Sequence, residues 1–252
     1  MTNETLQFTP TDMERLINSW DKKSIGFIQL NRPHKANAYN QLLLEQVDRQ
    51  FEAYEKNPDI VVIVICSTGS RSFCAGADFS ELKKRDYNDA LNLLSAQVFE
   101  RIASGNKVTI AAINGVAAGG GLELALTCDF RIASDTSRFS FPETKLGLIP
   151  AAGGTQRLTN VVGPAKAKEL ILAGKTWSAQ EAFHNGLINI VSTAQNLSAD
   201  TDNLCSEIID RDPLALQLAK KAINLSSSGS TAGLQFESVC QALLYHLKLN
   251  RH

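Results

Sequence analysis

The sequence has almost no net charge, no long apolar run and no recognisable targeting segment. Its 25 basic residues nearly balance 26 acidic ones, so no global field draws it to nucleic acid or to an anionic membrane. No apolar run reaches the about 20 residues that span a bilayer, and Met1 to Pro10 lack the basic start and apolar core of a signal peptide. These absences predict a cytoplasmic protein without a membrane or nucleic-acid partner.

Cysteine occurs without any pattern that would bind a metal. The chain has five cysteines, an odd number, and none forms a C-x-x-C pair or stands at a zinc-like spacing from histidine. We expect no metal site, and we interpret the cysteines as buried apolar residues in a reducing compartment. They are Cys66, Cys74, Cys128, Cys205 and Cys240.

The first two thirds of the sequence alternate between strand and helix patterns. Asn40 to Lys56 carries apolar residues at helical spacing and ends at Asn57-Pro58. Ile60 to Cys66 is a continuous β-branched run, typical of a strand buried on both faces. The other predicted strands are 24–30, 107–113, 130–133 and 138–141, and a short apolar helix is predicted at 122–126. This alternation predicts a layered α/β fold.

Beyond Gly163-Pro164 the pattern becomes helical throughout. The predicted helices are 165–173, 179–185, 197–211, 214–225 and 234–249. No repeat with a period of about 20 to 50 residues is visible, so a solenoid is not expected.

Two glycine-bearing turns each follow a predicted buried strand. Phe73 to Asp78 follows the first, and Asn114 to Gly121 follows the second and leads into a helix. Unpaired N–H groups at such positions are hydrogen-bond donors, and two of them aimed at one point can hold an oxyanion. Either turn alone is equally compatible with an ordinary tight turn. A nucleotide loop fits poorly, since the glycines do not follow G-x-G-x-x-G and no G-K-[ST] is present.

Glu123 and Glu143 are the candidate acid and base. Glu123 lies in the first turn of the predicted 122–126 helix, and Glu143 follows Pro142. Each has an alternative explanation, because a first-turn glutamate complements the helix dipole and a Pro-Glu step often forms an exposed turn. Hydration of a conjugated thioester needs one group that takes a proton from water and another that protonates carbon, so two carboxylates suit that reaction.

Three segments carry a specific resemblance. Asn114 to Asp129 (NGVAAGGGLELALTCD), Phe141 to Leu158 (FPETKLGLIPAAGGTQRL) and Phe73 to Asp78 (FCAGAD) look like the signature segments of the crotonase family of enoyl-CoA hydratases and isomerases. Further matches in the same order extend the resemblance from about Ser24 to about Glu237.

The resemblance implies a fold and an assembly. It implies an α/β core in which ββα turns wind into a spiral, over residues 1–195, and a helical C-terminal region, 196–252, that mediates trimer formation. Two such trimers would form a hexamer. After Glu237 the sequence departs from the family pattern. In the family the C-terminal element that follows this point helps to cover the acyl pocket and to contact the CoA phosphates, so the resemblance leaves these two roles open here.

The resemblance also implies roles for individual residues. The backbone N–H groups of Ala77 and Gly120 would hold the thioester oxygen, Glu123 would deprotonate water, and Glu143 would protonate the carbon next to the thioester. The implied substrate-binding residues are Lys35, Ala36, Ala75, Gly76, Asp78 and Gly119. Coenzyme A is part of the substrate, so no separate cofactor is expected.

The implied activity is reversible syn addition of water to a 2-enoyl-CoA in fatty-acid or branched-chain amino-acid breakdown. Val116 to Leu158 also looks like the methylglutaconyl-CoA hydratases. Isomerases of the family generally keep only the carboxylate matching Glu143, which favours a hydratase here. Lys83 and Lys84 are candidates for contact with the CoA phosphates.

Two alternatives belong to other classes of protein. RNA binding occurs in a methylglutaconyl-type relative whose first helix displays lysines, but the corresponding helix here, Gln41 to Lys56, is rich in acidic residues. A noncatalytic assembly subunit is suggested by the departure after Glu237, and the presence of both glutamates argues against it.

Overall fold

Two sheets form the centre of the protein. A computed structural model describes residues 15–84, 86–228 and 230–249; the prediction about Met1 to Pro10 lies outside these ranges. Within the described ranges the chain forms ten strands: β1 (Ile17–Lys22), β2 (Ile25–Leu30), β3 (Val62–Ser67), β4 (Ser72–Cys74), β5 (Val108–Ile113), β6 (Val116–Ala118), β7 (Phe130–Ser134), β8 (Arg138–Ser140), β9 (Thr176–Ser178) and β10 (Ile190–Ser192).

From β3 to β8 the strands alternate between the two sheets as the chain proceeds. The larger sheet has the order β1-β2-β3-β5-β7-β10, and the smaller has β4-β6-β8-β9. In the larger sheet β1 pairs antiparallel with β2, while the pairs from β2 to β10 are parallel. Each of β3, β5 and β7 is followed by a strand of the smaller sheet and then by helix, so successive ββα units wind into a spiral.

Ten α-helices occur in the described ranges: α1 (Gln41–Lys56), α2 (Phe79–Leu82), α3 (Tyr87–Leu91), α4 (Leu94–Ser104), α5 (Gly120–Thr127), α6 (Gly154–Ile171), α7 (Ala179–His184), α8 (Leu197–Ile209), α9 (Pro213–Asn224) and α10 (Ser230–Leu249). Of these described helices none is both long and apolar enough to cross a membrane. Helix α1 is representative of the predicted ones: the Asn40 side chain accepts a hydrogen bond from Leu43 N at its start, and its apolar face, including Val47 and Phe51, is buried.

The central strands were predictable because burial on both faces selects continuous apolar sequence. All six residues of β5 are buried. One face of the larger sheet packs against α1, α4 and α5, and the other packs against α8 through Leu197, Cys205 and Ile208. The predicted division between residues 195 and 196 falls between β10 and α8 and stays a prediction.

Several elements differ from the sequence-based expectations: β4, β6 and the helices α2, α3 and α4 were not predicted. β1 was not predicted, and β9 and β10 lie in the third predicted to be entirely helical. These last two have three residues each, too few for periodicity to reveal, and they exist through pairing with β8 and β7. Helix α6 begins at Gly154, well before the predicted residue 165, and continues past a kink at Gly163, where φ is 76°.

A buried ion pair joins α9 to the larger sheet. Lys220 Nζ lies 2.8 Å from Asp129 Oδ2, and the Lys220 side chain is only 6% exposed. Lys220 Nζ also donates to the Lys107 carbonyl, and Asp129 accepts from the Thr109 N–H and hydroxyl. The charges are therefore matched and almost fully hydrogen-bonded, the condition under which a buried pair is tolerated.

Lys220→Met should lower the free energy of unfolding by about 3 kcal/mol, because it leaves the Asp129 carboxylate without its cation in a mostly buried position. Chemical denaturation measures this change. Lys22→Met is the matched control, since it breaks an ion pair with Asp202 whose lysine side chain is 56% exposed; it should change stability by less than about 1 kcal/mol. Equal effects of the two substitutions would contradict the assignment of Lys220 as a buried anchor.

Candidate active site

A cavity of about 780 Å³ lies where the turns that link the two sheets meet the start of α6. Nine of the predicted site residues line it: Lys35, Ala75, Gly76, Ala77, Asp78, Gly119, Gly120, Glu123 and Glu143. The structure thus brings together residues from four separate segments of the sequence. Leu146, Leu148 and Ile149 add apolar surface to the wall.

Ala36 does not line this cavity, and neither do the candidate phosphate contacts Lys83 and Lys84. The carbonyl of Ala36 accepts a hydrogen bond from Ala75 N at 3.1 Å, and the Ala36 φ of 52° places this residue in the left-handed region. Ala36 therefore supports the turn that carries Ala75 to Asp78 from behind.

Hydrogen bonds on both sides of Ala77 fix the direction of its N–H group. Gly76 O accepts from Tyr39 N at 2.8 Å, and Asp78 N donates to Tyr39 O at 2.7 Å. In a trans peptide the C=O and the following N–H point in opposite directions. Because Gly76 O is directed at Tyr39 N, the N–H of Ala77 is directed away from Tyr39 N, and Ala77 itself lines the cavity.

The start of α5 presents a second N–H group, that of Gly120. Gly119 O accepts from Leu122 N and Glu123 N, so it points along the helix and the Gly120 N–H points outwards from the helix start. Gly119 has φ 53° and ψ −128°, a conformation open essentially to glycine alone. A β-carbon on Gly76 would lie 3.2 Å from Gly120 N, which places the two turns in direct contact.

Glu123 is buried and accepts hydrogen bonds from the backbone at the start of α6. Its Oε1 accepts from Ala152 N and from Gly154 N, both at 2.8 Å, and the residue is 3% exposed. Burial raises the pKa of Glu123, while the two N–H bonds oppose that rise. Gly154 leaves the necessary space, because a β-carbon there would lie 2.8 Å from Glu123 Oε1.

Glu143 lies in a 3-10 turn, Glu143–Leu146, directly after Pro142. Its Oε2 is buried and has no hydrogen-bond partner among the described residues. Burial, with a smaller contribution from the negative charge of Glu123, raises the pKa of Glu143 to about 7. A β-carbon on Gly119 would lie 2.6 Å from Glu143 Oε1, so this glycine is needed for the carboxyl group to reach the cavity.

The two carboxyl groups therefore occupy different environments in one cavity. Donors stabilise the ionised form of Glu123, whereas Glu143 holds a proton near neutral pH. Such a pair can supply a base and an acid at the same time.

Asp78 contributes to the wall in a different way. Hydrogen bonds from the hydroxyl and N–H of Ser80, together with the Arg32 guanidinium, hold the pKa of Asp78 below its usual value. The carboxylate is thus ionised and fully engaged by protein groups, as expected of a residue that supports the loop.

Sequence reasoning missed the donors and supports behind the glutamates. Ala152 and Gly154 were part of a recognised segment but received no role, although the Gly153-Gly154 pair signals a helix start. Arg157 Nη1 donates to Ala152 O at 2.8 Å and so holds in place the backbone that carries the donor Ala152 N.

Lys83, a candidate for phosphate contact, has its Nζ 4.8 Å from the Phe79 ring centroid. Within the described segments no group of three or more histidine, cysteine, aspartate or glutamate residues is arranged to hold a metal ion.

Comparison with known proteins identifies the family. Residues 21–247 match the family described as enoyl-CoA hydratase/isomerase. The chain is 38% identical over 202 residues to the short-chain-enoyl-CoA hydratase of Clostridium acetobutylicum, covering 79% of this chain and 77% of that protein. It is 39% identical over 233 residues to the 2,3-dehydroadipyl-CoA hydratase of Escherichia coli, covering 92% and 91%. The crystal structure of an enoyl-CoA hydratase from Bacillus anthracis superposes with a TM-score of 0.88 at 34% identity, covering 92% of both chains.

The mixed α/β fold, with its two linked sheets, is that of the crotonase class. The chain belongs to the enoyl-CoA hydratase/isomerase family. The predictions of fold class and family made from the sequence motifs are confirmed.

The negative charge of Glu123 should have a measurable effect on the pKa of Glu143. In a Glu123→Gln variant the pKa of Glu143 should fall from about 7, because one negative charge is removed, and should stay above that of an ordinary glutamate, because burial is the larger cause. Carboxyl-carbon NMR titration measures this pKa. Glu52→Gln, at an exposed position of α1, is the control and should leave the pKa of Glu143 unchanged. An unaltered pKa in Glu123→Gln would show that the two carboxyl groups are not neighbours in solution.

Proposed function

We propose that this protein is an enoyl-CoA hydratase, which adds water reversibly across the α,β double bond of a 2-enoyl-CoA thioester. The observation that carries this proposal is the pair of carboxyl groups, Glu123 and Glu143, that share one cavity with the inward N–H groups of Ala77 and Gly120. The names of the relatives support the same reaction.

The different environments of the two glutamates support a division of work. Glu123 accepts two backbone N–H bonds and is suited to bind water and take its proton. Glu143, with a pKa of about 7, is suited to deliver a proton to the carbon next to the thioester. Two nearby carboxyl groups titrate as a pair, so the pair as a whole carries one proton in its active state.

The N–H groups of Ala77 and Gly120 are proposed to form an oxyanion hole. Charge develops on the thioester oxygen as water adds, and donors fixed in advance stabilise that charge in the transition state. Support comes from the peptide orientations on both sides and from the contact between the Gly76 and Gly120 turns. Both donors belong to the backbone, so their loss is better tested by altering the turns than by truncating Ala77.

The remaining predicted contacts concern coenzyme A and the state of assembly. Lys35 lines the cavity and is proposed, with Lys83 and Lys84, to contact the CoA phosphates. A trimer, or a dimer of trimers, is proposed for the helical C-terminal region; exposed apolar side chains on α9 and α10, such as Ile223 and Val239, support an interface there. A cytoplasmic location is proposed, and the five free cysteines support a reducing compartment.

Glu123→Gln and Glu143→Gln should each lower kcat for hydration by about 100-fold or more, the scale of losing a general acid or base. The loss of ultraviolet absorbance from the conjugated thioester measures hydration, with crotonyl-CoA and 3-methylglutaconyl-CoA as the two substrates. Glu52→Gln should retain full activity, since Glu52 lies at an exposed position of α1. A folded wild-type protein that converts a β,γ-enoyl-CoA but hydrates neither substrate would instead be an isomerase.

The pH dependence follows from the proton that the pair must hold. As the pH rises through about 7, Glu143 loses its proton, so kcat/KM for hydration should fall. Hydration consumes no net proton and its equilibrium constant is independent of pH, so kcat/KM for dehydration must fall in parallel. Initial rates in both directions across pH 5 to 9 test this. A rate that rises through pH 7 in either direction would contradict an active pair that holds one proton.

A further inference from the structure

The turn that carries the Ala77 N–H is held against a second segment of unusual backbone conformation, Ala36 to Tyr39. Three backbone hydrogen bonds join the two: Ala75 N to Ala36 O, Tyr39 N to Gly76 O, and Asp78 N to Tyr39 O. The direction of the Ala77 N–H depends on these bonds, since they fix the peptide planes on both sides of it. Whatever holds the Ala36 to Tyr39 segment in place therefore also aims the donor.

This second segment is strained and needs external support. Ala36 and Asn37 both have left-handed φ values, 52° and 54°, which are uncommon for residues other than glycine. Asn37 is 1% exposed, and its Nδ2 donates to Thr68 O and Ser72 O. Its Oδ1 accepts from the backbone N–H of Arg32.

The Arg32 side chain connects the two segments directly. Nη1 donates to Ala38 O at 2.8 Å, on the strained segment, and Nη2 donates to Asp78 Oδ2 at 3.0 Å, on the donor turn. The Arg32 and Asp78 side chains are 11% and 9% exposed, so water competes little with the ion pair between them. A planar guanidinium can make both bonds at once, whereas a lysine ammonium is a single point charge.

We infer that Arg32 is a positioning residue for catalysis, which acts through Ala38 and Asp78 to keep the Ala77 N–H aimed at the thioester oxygen. Arg32 is not among the residues that line the cavity, so its effect on the reaction is indirect. The inference rests on the proposed function and extends it from the donors to the contact that orients them.

The test compares Arg32→Met and Arg32→Lys with Arg101→Met. Arg101 also donates two side-chain hydrogen bonds, both to Asp48 and both at 2.6 Å, but at the more exposed contact between α1 and α4. We expect kcat for hydration to fall by about 10- to 100-fold in Arg32→Met, the scale of misplacing a catalytic group. Arg32→Lys should be intermediate, since it keeps the charge but not both bonds, and Arg101→Met should match the wild type.

A second readout separates positioning from loss of fold. Acetoacetyl-CoA ionises to an enolate that absorbs in the near ultraviolet, and a site that stabilises an oxyanion at the thioester favours this bound form. We expect the enolate absorbance at saturating ligand to fall in Arg32→Met and Arg32→Lys while thermal unfolding shows both variants folded at the assay temperature. Asp78→Asn combined with Arg32→Met should lower kcat by less than the product of the two single effects, because both substitutions disrupt the same contact between Arg32 and Asp78.

Wild-type kcat and enolate absorbance in folded Arg32→Met and Arg32→Lys would overturn the inference, and so would additive effects of Arg32→Met and Asp78→Asn. These outcomes are distinct from a failure of the proposed function, which would appear as absence of hydration by the wild-type protein.

Discussion

The buried carboxylate of Glu123 is the constraint around which the cavity is arranged. A carboxyl group that is 3% exposed must have its lost hydration replaced, and the backbone N–H groups of Ala152 and Gly154 replace it at and just before the start of α6. The bond from Gly154 also satisfies one of the donors that an α-helix leaves free at its N-terminus. The hydrogen bond from Gly154 N to Glu123 Oε1 therefore stabilises both the buried carboxyl group and the start of α6. A side chain on Gly154 would not fit, because its β-carbon would lie 2.8 Å from Glu123 Oε1.

The spiral supplies the other half of the cavity. Because β3 and β5 are parallel neighbours in the larger sheet, the turns that follow them leave the sheet on the same side, and their continuations β4 and β6 pair in the smaller sheet. Gly76 and Gly120 then meet without being close in sequence, and the absence of a β-carbon on Gly76 allows the approach. Two N–H groups from separate turns can thus converge on one point, which no single loop would provide.

Sequence patterns predicted those parts of the molecule that are encoded locally. Continuous apolar residues predict β3 and β5, and a periodic apolar face with Asn40 as the N-cap predicts α1. The strands β4, β6 and β9 have three residues each and depend on partners far along the chain, so no local pattern marks them. Motifs placed Glu123 and Glu143 in one site, but the donors to Glu123 lie 29 and 31 residues away and belong to the backbone, which leaves no mark in side-chain identity.

Two residues of the same type acquire different chemistry here because their surroundings differ in donors as much as in burial. Burial raises the pKa of both glutamates, but only Glu123 receives two backbone N–H bonds that favour its ionised form. Once Glu123 is ionised, its negative charge adds to the rise at Glu143, so the charge on one carboxyl group favours the proton on the other. The asymmetry of the pair therefore originates in the backbone at the start of α6: without those N–H bonds the pKa of Glu123 would rise further, and a protonated Glu123 would no longer raise the pKa of Glu143.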